Sequence, residues 1–460
     1  MAVGALPGFR DFYPDDFAQR AHIFKAWREV CRRHAFVEYD GPPLEPLELY
    51  TRKSGEEIVN QLYAFTDKGG REVALRPEMT PTFARMVAAR GNSLRKPVRW
   101  FSIPQLFRYE RQQKGRLKEH FQLNVDIVGE GSELADAELL AVAIGTMREL
   151  GLTSADVRAR VSDRRLLTDV LRAMGVLDAQ FAATLAVIDK IDRLPAGEFQ
   201  NKLLEAGLAH PLPPAVFGLV SAADPLAAIR GLCGTDPQVV EHLERITRYF
   251  AHLESLGVGE WVDFDLRIVR GLAYYTGIVF ELFDAKGELR AICGGGRYDS
   301  LLRDLGGVDL PALGFGMGDV VLAELLRERG LMPRAEGSGA DLYLLGGNGV
   351  LDHPIGNALR LVGSLRHVAG MSVDYAMSAE RYKTQASRNQ LDSARKSGAR
   401  AAIYFETASD IVVQGLSGKL TEAPKQAFPA LPLVQGDPPA IAALKLWFDR
   451  NIPQHTRNPD

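Results

Sequence analysis

The stretch that decides the fold runs from Phe107 to Gln122 and reads FRYERQQKGRLKEHFQ. It carries five cationic side chains in sixteen residues. Short runs rich in Val, Ile and aromatic residues flank it, from Val98 to Leu106 and from Leu123 to Val128, and such runs predict strands. The polar centre contains Gly115, which predicts a turn. We therefore expect a long hairpin with arginines at its start, tip and return.

A basic hairpin of this kind has two interpretations. Edge strands often carry Lys and Arg because these charges discourage pairing with other chains, so the cations could form a solvated surface. Alternatively, they form an anion site, because the guanidinium group is a planar, permanently charged fork that matches phosphate geometry. Composition alone favours the two interpretations about equally.

Length and composition limit the class of protein. The chain has 460 residues, so about two to four domains are expected. Its hydrophobic content of 46% and charged content of 25% are ordinary for a globular protein. The formal net charge is −3, so any contact with RNA must come from local basic patches rather than from a global attraction.

The cysteines and the apolar runs favour a cytoplasmic location. Cys31, Cys233 and Cys293 are far apart and form no CxxC pair, which argues for a reducing compartment and against a zinc site or a disulfide framework. Residues 1–20 contain no apolar core of signal-peptide length. No run approaches the roughly 18 apolar residues of a membrane span, so no membrane partner is expected.

Hydrophobic periodicity divides the chain into regions. Strands and helices mix in the N-terminal part, a long central segment is helical almost throughout, and strands alternate with helices near the C-terminus. A segment rich in Gly and Pro predicts a linker. The expected boundaries are 1–162 and 257–329 for the first region, 163–256 for the helical insertion, 330–340 for the linker, 341–452 for a small α/β domain and 453–460 for a polar tail.

Two local patterns carry further predictions. Thr80 followed by Pro81 predicts an N-cap and first-turn pair for the helix that follows. The three glycines from Gly294 to Gly296 predict a tight turn, or a place where a substrate approaches the backbone closely.

Four stretches resemble motifs of the class II aminoacyl-tRNA synthetases, specifically the histidyl family. Residues 107–122 resemble motif 2, which reads Phe-Arg-x-Glu-Arg, then Gln-Lys-Gly-Arg, then a nearby Gln. The other three resemble a Leu-Arg-Pro-Glu segment and two histidine-specific signatures; they are Leu75 to Thr80, Val269 to Glu281 and Cys293 to Asp299. The stretches occur in the family's order, with the helical insertion between motif 2 and the first signature.

The resemblance implies a fold and an activity. The implied fold is α+β, a class II synthetase antiparallel sheet flanked by helices, with a helical insertion and a C-terminal α/β domain that binds the anticodon. The implied activity is that of a ligase, which joins L-histidine to ATP as histidyl-adenylate and transfers the histidyl group to the 3′ end of histidine tRNA. A homodimer is also implied. The alternative is a non-catalytic paralogue that acts as a histidine-sensing regulatory subunit.

The resemblance also assigns phosphate-binding residues. Activation brings a carboxylate to an anionic α-phosphate, so it needs preplaced cations. Arg108 and Arg270 match the catalytic cations at the α-phosphate and the carboxylate. The ATP-binding set that the resemblance implies is Arg108, Glu110, Arg116 and His120, and we add Arg297 as a candidate. Mg²⁺ is expected to bridge the phosphate oxygens of ATP, and no metal ligand on the chain is assigned.

The amino acid needs its own partners. Its ammonium group requires acceptors, and its imidazole requires a partner at each nitrogen, because a buried unpaired group costs roughly 1–3 kcal/mol. Asp126 and Tyr275 match the family's imidazole readers. The full histidine-binding set that the resemblance implies is Glu78, Thr80, Gln122, Asp126, Tyr274 and Tyr275.

The sequence departs from the family pattern at several positions. Ala273 replaces the usual Asp, Asp126 is one methylene shorter than the usual Glu, and His120 precedes Phe121 in the reverse of the usual order. Alternation along a strand predicts that His120 faces the site, where it can stack on adenine. Val321 occupies the position of the motif 3 arginine, and Arg297 is our candidate to replace it.

The missing motif 3 arginine favours the regulatory alternative, whereas the C-terminal domain and the retained ligand residues oppose it. The C-terminal domain contributes cations on or near one helix, namely Arg381, Lys383, Arg388, Arg395, Lys396 and Arg400. They form either a solvated face or a set of contacts to RNA phosphates, which set position rather than sequence.

Overall fold

The structure is a computed structural model that describes residues 4–51, 61–91, 93–109, 117–269, 275–306, 308–333, 339–346, 355–375, 387–417 and 422–453. The chain divides into two compact units. The first contains Met1–Asp11 and Arg20–Met332, and the second contains Phe12–Gln19 and Pro333–Asp460.

Two sheets form the framework of the first unit. Their strands are β1 Val37–Glu38, β2 Leu44–Pro46, β3 Tyr63–Thr66, β4 Glu72–Leu75, β5 Val98–Ser102, β6 Gln105–Phe107, β7 Glu119–Val128, β8 Val157–Asp163, β9 Val262–Phe264, β10 Ile278–Asp284, β11 Cys293–Arg297 and β12 Ala312–Gly318. Among the described residues, the large sheet has the order β1-β5-β7-β12-β11-β10-β8-β9, with β6 paired to β7, and the small sheet has the order β2-β4-β3.

The large sheet is antiparallel from β5 to β8, and its outer pairs β1–β5 and β8–β9 are parallel. This arrangement confirms the predicted antiparallel α+β framework. The predicted basic hairpin is also present in the described residues, because β6 pairs antiparallel with β7 and the Arg108 amide donates to the Lys118 carbonyl at 2.9 Å. The hairpin tip, residues 110–116, lies outside the described residues.

Helices cover both faces of the large sheet. The described α-helices up to residue 333 are α1 Pro14–Arg33, α2 Leu47–Thr51, α3 Thr80–Arg90, α4 Glu133–Glu149, α5 Arg164–Ala173, α6 Phe181–Ile188, α7 Ala196–Glu205, α8 Leu212–Val220, α9 Pro225–Cys233, α10 Pro237–Ser255, α11 Leu301–Gly306 and α12 Asp319–Glu328. Short 3₁₀ turns occur at Asp178–Gln180, Ile191–Arg193 and Gly259–Trp261.

Strand β7 separates two cores. Its odd-numbered residues Leu123, Val125 and Ile127 join a large apolar core with side chains of α1 and α4. Its even-numbered residues Gln122, Asn124 and Asp126 point to the opposite face, because successive side chains alternate along a strand. That second face, which we call the polar face, carries a smaller core in which Phe83 and Val87 of α3 pack with Leu302 of α11 and Val98 of β5.

The helices from α5 to α10 confirm the helical pattern between β8 and β9. Asp163, Asp224 and Asp236 cap three of them by accepting hydrogen bonds from first-turn amides. Their buried side chains, such as Leu167 and Ile246, join the same large apolar core as the sheet. The exact boundaries of an insertion domain stay a prediction.

The second unit contains a five-stranded sheet of order β14-β13-β15-β16-β17 among its described residues. Its strands are β13 Leu342–Leu344, β14 Val373–Tyr375, β15 Ala401–Phe405, β16 Asp410–Gly415 and β17 Lys425–Pro429. Its helices are α13 Ile355–His367, α14 Ser387–Lys396, α15 Ala430–Gln435 and α16 Pro438–Asn451. Strand β17 and helix α15 were not predicted, and the rest follows the predicted alternation.

Two local predictions are wrong. Helix α3 begins at Thr80 itself, and its N-cap is Met79, which makes no side-chain capping bond. The Thr80 hydroxyl is therefore not used as a cap. The glycines from Gly294 to Gly296 form the middle of the central strand β11 rather than a turn. They lie between β10 and β12, where glycines leave the sheet surface without projecting side chains. The alternative interpretation, that a substrate approaches this backbone closely, stays a prediction.

Candidate active site

A cavity of about 100 Å³ lies on the polar face of the large sheet. Six residues that the sequence assigned to substrate binding line it, although they are far apart in the chain: Glu78, Thr80, Arg108, Gln122, Asp126 and Tyr275. They come from the start of α3, the end of β6, strand β7 and the segment before β10. The sheet register thus brings together residues that the sequence grouped by resemblance alone.

Glycines form the floor of this cavity. Asp126 pairs with Gly314 across β7 and β12, and Asn124 pairs with Gly316. A Cβ atom at Gly314 would lie 2.2 Å from Asp126 Oδ1, and one at Gly316 would lie 2.7 Å from Gln122 Nε2. The side chains of β7 therefore lie across the backbone of β12, which only glycine permits. These glycines belong to the stretch before α12, and the sequence did not identify them as site residues.

Asp126 is held by a residue that the sequence missed. The Tyr298 hydroxyl donates a hydrogen bond to Asp126 Oδ1, and both side chains are buried. Burial raises the pKa of Asp126 to about 7, and the bond from Tyr298 works in the opposite direction. A buried carboxyl that ionises near neutral pH can accept a hydrogen bond from an imidazole ring.

Glu78 and Arg108 place a carboxylate and a cation in the same cavity. Burial raises the pKa of Glu78, and the charge of Arg108 works against this shift. Arg108 Nε donates to the Pro77 carbonyl at 3.0 Å, which orients the guanidinium beside the start of α3. The cavity also contains Asn124, whose Nδ2 donates to the Gln122 carbonyl at 3.2 Å and which the sequence did not single out.

His120 lies on the polar face but does not line the cavity. Its neighbour Phe121 points to the other face, where its ring meets Phe24 at 5.3 Å between centroids and Arg20 at 4.6 Å. The predicted inward orientation of His120 is therefore consistent with these contacts. Burial, with the charges of Arg108 and Arg10, lowers the pKa of His120 to about 3, so its ring is neutral.

The prediction that Arg297 binds ATP is corrected by its contacts. Arg297 follows Gly296 by one position on β11, so alternation directs its side chain to the opposite face. There it is 2% exposed, and its Nη2 lies 2.6 Å from Asp136 Oδ2 on α4. Its Nη1 also donates to Asp299 Oδ1 at 3.3 Å. The guanidinium is part of a buried ion pair and does not reach the cavity.

Four predicted site residues, Glu110, Arg116, Arg270 and Tyr274, lie outside the described residues, as does Ala273. Their roles stay predictions.

The position of the missing motif 3 arginine is apolar. Val321 is buried in the large core on α12. Nearby, Arg10 joins two buried carboxylates, with Nε 2.6 Å from Glu119 and Nη1 2.9 Å from Asp319. Asp319 also accepts the Phe121 amide at 2.9 Å. This cluster fastens the start of β7 to the start of α12.

Comparison with known proteins identifies the family. The family model described as histidyl-tRNA synthetase matches residues 8–319. The chain belongs to the histidyl-tRNA synthetase family. A histidine–tRNA ligase of Opitutus terrae is 44% identical over 421 residues, which cover 89% of this chain and 92% of that protein. A chloroplastic/mitochondrial histidine–tRNA ligase of Arabidopsis thaliana is 40% identical over 83% of this chain and 76% of its own length.

The histidyl-tRNA synthetase fold is also found by structural comparison. A crystal structure of histidyl-tRNA synthetase from Nostoc sp. PCC 7120 superposes with a TM-score of 0.80 and covers 98% of this chain and 100% of that one, at 20% identity. Within the described residues, no cluster of three or more His, Cys, Asp or Glu side chains is arranged to hold a metal ion. Likewise, the described helices include none that is both long and apolar enough to cross a membrane.

Proposed function

We propose that the protein is a histidine–tRNA ligase that uses the cavity on the polar face to activate L-histidine. The observation that supports this most directly is the meeting of Glu78, Gln122, Asp126 and Arg108 in one cavity. Histidine carries an ammonium group, a ring with donor and acceptor nitrogens, and a carboxylate. Two buried carboxyls and one arginine provide a partner for each of these groups.

In the first step, an oxygen of the histidine carboxylate attacks the α-phosphorus of ATP. A new carboxyl–phosphate bond forms, the bond to the β-phosphate oxygen breaks, and pyrophosphate leaves with the electron pair. Arg108 stabilises the negative charge on the α-phosphate, and such a preplaced donor is worth about 3–4 kcal/mol of transition-state stabilisation. Glu78, Thr80 and Gln122 hold the ammonium group, so the carboxylate is positioned for attack.

In the second step, a ribose hydroxyl of the terminal adenosine of tRNA attacks the histidyl carbonyl, and AMP leaves. Mg²⁺ would be held by the phosphate oxygens of ATP, where it would neutralise part of their charge, and no residue of this chain is proposed to hold it. Arg270, Arg116 and Glu110 are proposed to complete the phosphate site. Asp126 and Tyr275 are proposed to read the imidazole, with Tyr274 beside them.

The second unit is proposed to bind the anticodon. Arg395 and Lys396 are exposed at the end of α14 and are the described cations proposed to meet RNA phosphates. Arg400 is withdrawn from this set, because its Nη1 lies 2.7 Å from Asp341 and its guanidinium lies 4.5 Å from the Phe448 ring. Arg381, Lys383 and the Arg388 side chain stay predictions.

We also propose that the protein is a cytoplasmic homodimer, as its role in charging tRNA and its family membership imply. Its three cysteines are buried thiols without disulfides, which agrees with a reducing compartment.

Histidine-dependent exchange of labelled pyrophosphate into ATP tests the proposal. Purified wild-type protein should catalyse exchange with histidine and not with other amino acids, and it should then charge histidine tRNA. Histidine binding without any exchange would instead support the regulatory alternative. Folded protein that neither binds histidine nor supports exchange would overturn the assignment.

A further inference from the structure

Two buried hydroxyls lie behind the candidate site and play no part in the function proposed above. Ser102, the last residue of β5, is fully buried, and its Oγ has no hydrogen-bond partner among the described residues. The same holds for the hydroxyl of Tyr39, whose backbone amide donates to the Phe101 carbonyl at 2.8 Å. A buried hydroxyl without a partner costs roughly 1–3 kcal/mol, so both are expected to acquire one.

The sheet register places Ser102 on the same face of the sheet as Asp126. Ser102 pairs directly with Asn124, and Trp100 pairs with Asp126, so all four side chains share the polar face. The Tyr39 ring packs on Trp100 and Phe83 at 5.4 and 5.6 Å between centroids.

The electrostatics of Tyr39 agree with this placement. Burial raises the pKa of the Tyr39 phenol well above its usual value, and the charge of Asp126 raises it further. A side-chain interaction with the Ser102 hydroxyl lowers this pKa, so the two hydroxyls lie close to each other. The Tyr39 phenol therefore interacts with both Asp126 and Ser102, although neither contact has the geometry of a normal hydrogen bond.

We propose that Tyr39 and Ser102 are specificity-determining positioning residues, which together hold one ordered water against Asp126 and so fix this short side chain for the imidazole of bound histidine. The inference rests on the proposed function and assigns two residues beyond it. A buried water typically needs two to four polar partners, and the two hydroxyls with the Asp126 carboxylate provide three. Asp126 Oδ1 accepts the hydrogen bond from Tyr298, so the water bonds the other oxygen of the carboxyl group.

The test compares hydroxyl deletions behind the site with matched deletions elsewhere. Tyr39→Phe and Ser102→Ala each remove one oxygen and keep the packing. Tyr249→Phe and Ser162→Ala are matched controls, because their hydroxyls are also buried and without a partner among the described residues. Tyr249 lies in the large apolar core, and Ser162 lies on β8, which three strands separate from β7.

Pyrophosphate exchange gives the first measurement. Each deletion behind the site should raise KM for histidine about fivefold to tenfold, as expected for one lost buried hydrogen bond. KM for ATP should change less than about twofold. The double variant should lose less than the product of the two single effects, because both hydroxyls serve one water. The controls should leave both KM values unchanged.

The pH dependence of kcat/KM for histidine gives a second measurement that a purely structural role would not change. Tyr298 donates to Asp126 directly, the charge of Asp126 acts on the Tyr39 phenol, and Glu78 and Arg108 line the same cavity. Hydrogen-bond donors favour the ionised carboxyl, so their loss should move the acid limb of the profile to higher pH.

Two results would count against the inference, and each is distinct from a failure of the proposed function. If wild-type protein exchanges pyrophosphate but Tyr39→Phe and Ser102→Ala match their controls, the two hydroxyls do not serve histidine binding. If all four variants raise KM for histidine equally, the effect is general loosening of the fold. A wild-type protein without exchange would instead overturn the function.

Discussion

The two faces of the large sheet use the same residue types in opposite ways. On the polar face, Asp126 and Arg108 line a cavity of about 100 Å³. On the other face, Asp136 and Arg297 contact each other at 2.6 Å and are each no more than 5% exposed. Both arginines were predicted to bind ATP, and only Arg108 reaches the cavity. A charge that lines a cavity can bind a ligand, whereas a charge enclosed with its counter-ion supports the fold.

The largest expected effect is the loss of folding free energy when the buried ion pair is broken. Arg297→Met removes the cation and leaves Asp136 buried, so we expect a loss of about 3–5 kcal/mol of folding free energy. Thermal or urea unfolding measures it. Arg297→Met combined with Asp136→Leu should recover most of the loss, because a neutral apolar pair replaces the ions. A stable Arg297→Met protein with weakened ATP binding would restore the original prediction for Arg297.

The opposite outcome is expected for the arginine in the cavity. Arg108→Ala should lower the rate of histidine-dependent pyrophosphate exchange about 10²-fold to 10³-fold, because it removes a cation aimed at the reacting phosphate. Its melting temperature should stay near that of the wild type. Arg303→Ala on α11 is the control, since that side chain is 56% exposed and should change neither quantity. Equal losses of stability in Arg108→Ala and Arg297→Met would erase the distinction between the two faces.

The difference between these arginines also shows how far sequence reasoning reached. The basic hairpin and the helical segment were predicted from hydrophobic periodicity, and six residues of the cavity were predicted from the resemblance to family motifs, because both are local signals. The face occupied by Arg297 was not predicted. To predict that face, Gly294 to Gly296 would have to be assigned to a strand, whereas three consecutive glycines indicate a turn. Tyr298 and Gly314 were missed because their roles arise only from the register of β11, β12 and β7.

The glycine floor offers the next test of the polar face. Gly314→Ala places a Cβ atom 2.2 Å from Asp126 Oδ1 and 2.8 Å from the Val125 carbonyl oxygen, so Asp126 or the strand must move. We expect KM for histidine to rise at least about tenfold, since one displaced buried contact is worth about 1–2 kcal/mol. Gly231→Ala in α9 is the control, because no atom lies within 4 Å of its added Cβ, and a helical alanine should stabilise slightly.

A refinement separates the clash with Asp126 from the clash with the backbone. In an Asp126→Ala background, the further change Gly314→Ala should cost less stability than it does in the wild type, because the carboxyl oxygen is gone. Identical costs in the two backgrounds would show that the Val125 carbonyl alone sets the requirement for glycine.

The last expected effect is a change of melting temperature with pH, and it concerns the protonation of Asp126. Its pKa is raised to about 7 in the fold, against about 3.9 in the unfolded chain, so the folded protein binds an extra proton between these values. The contribution of the neutral form to stability is complete below about pH 4 and is lost as pH rises to about 7. Asp126→Asn keeps the acceptor for Tyr298 and cannot ionise. Its melting temperature relative to wild type should therefore be higher at pH 8 than at pH 5.

Asp136→Asn does not serve as a control, because burial also raises the pKa of Asp136, to about 6. Gly231→Ala in α9 serves as the control, because it changes no titratable group, and its difference from wild type should be the same at both pH values. A constant difference for Asp126→Asn would mean that the carboxyl does not change its ionisation between pH 5 and pH 8.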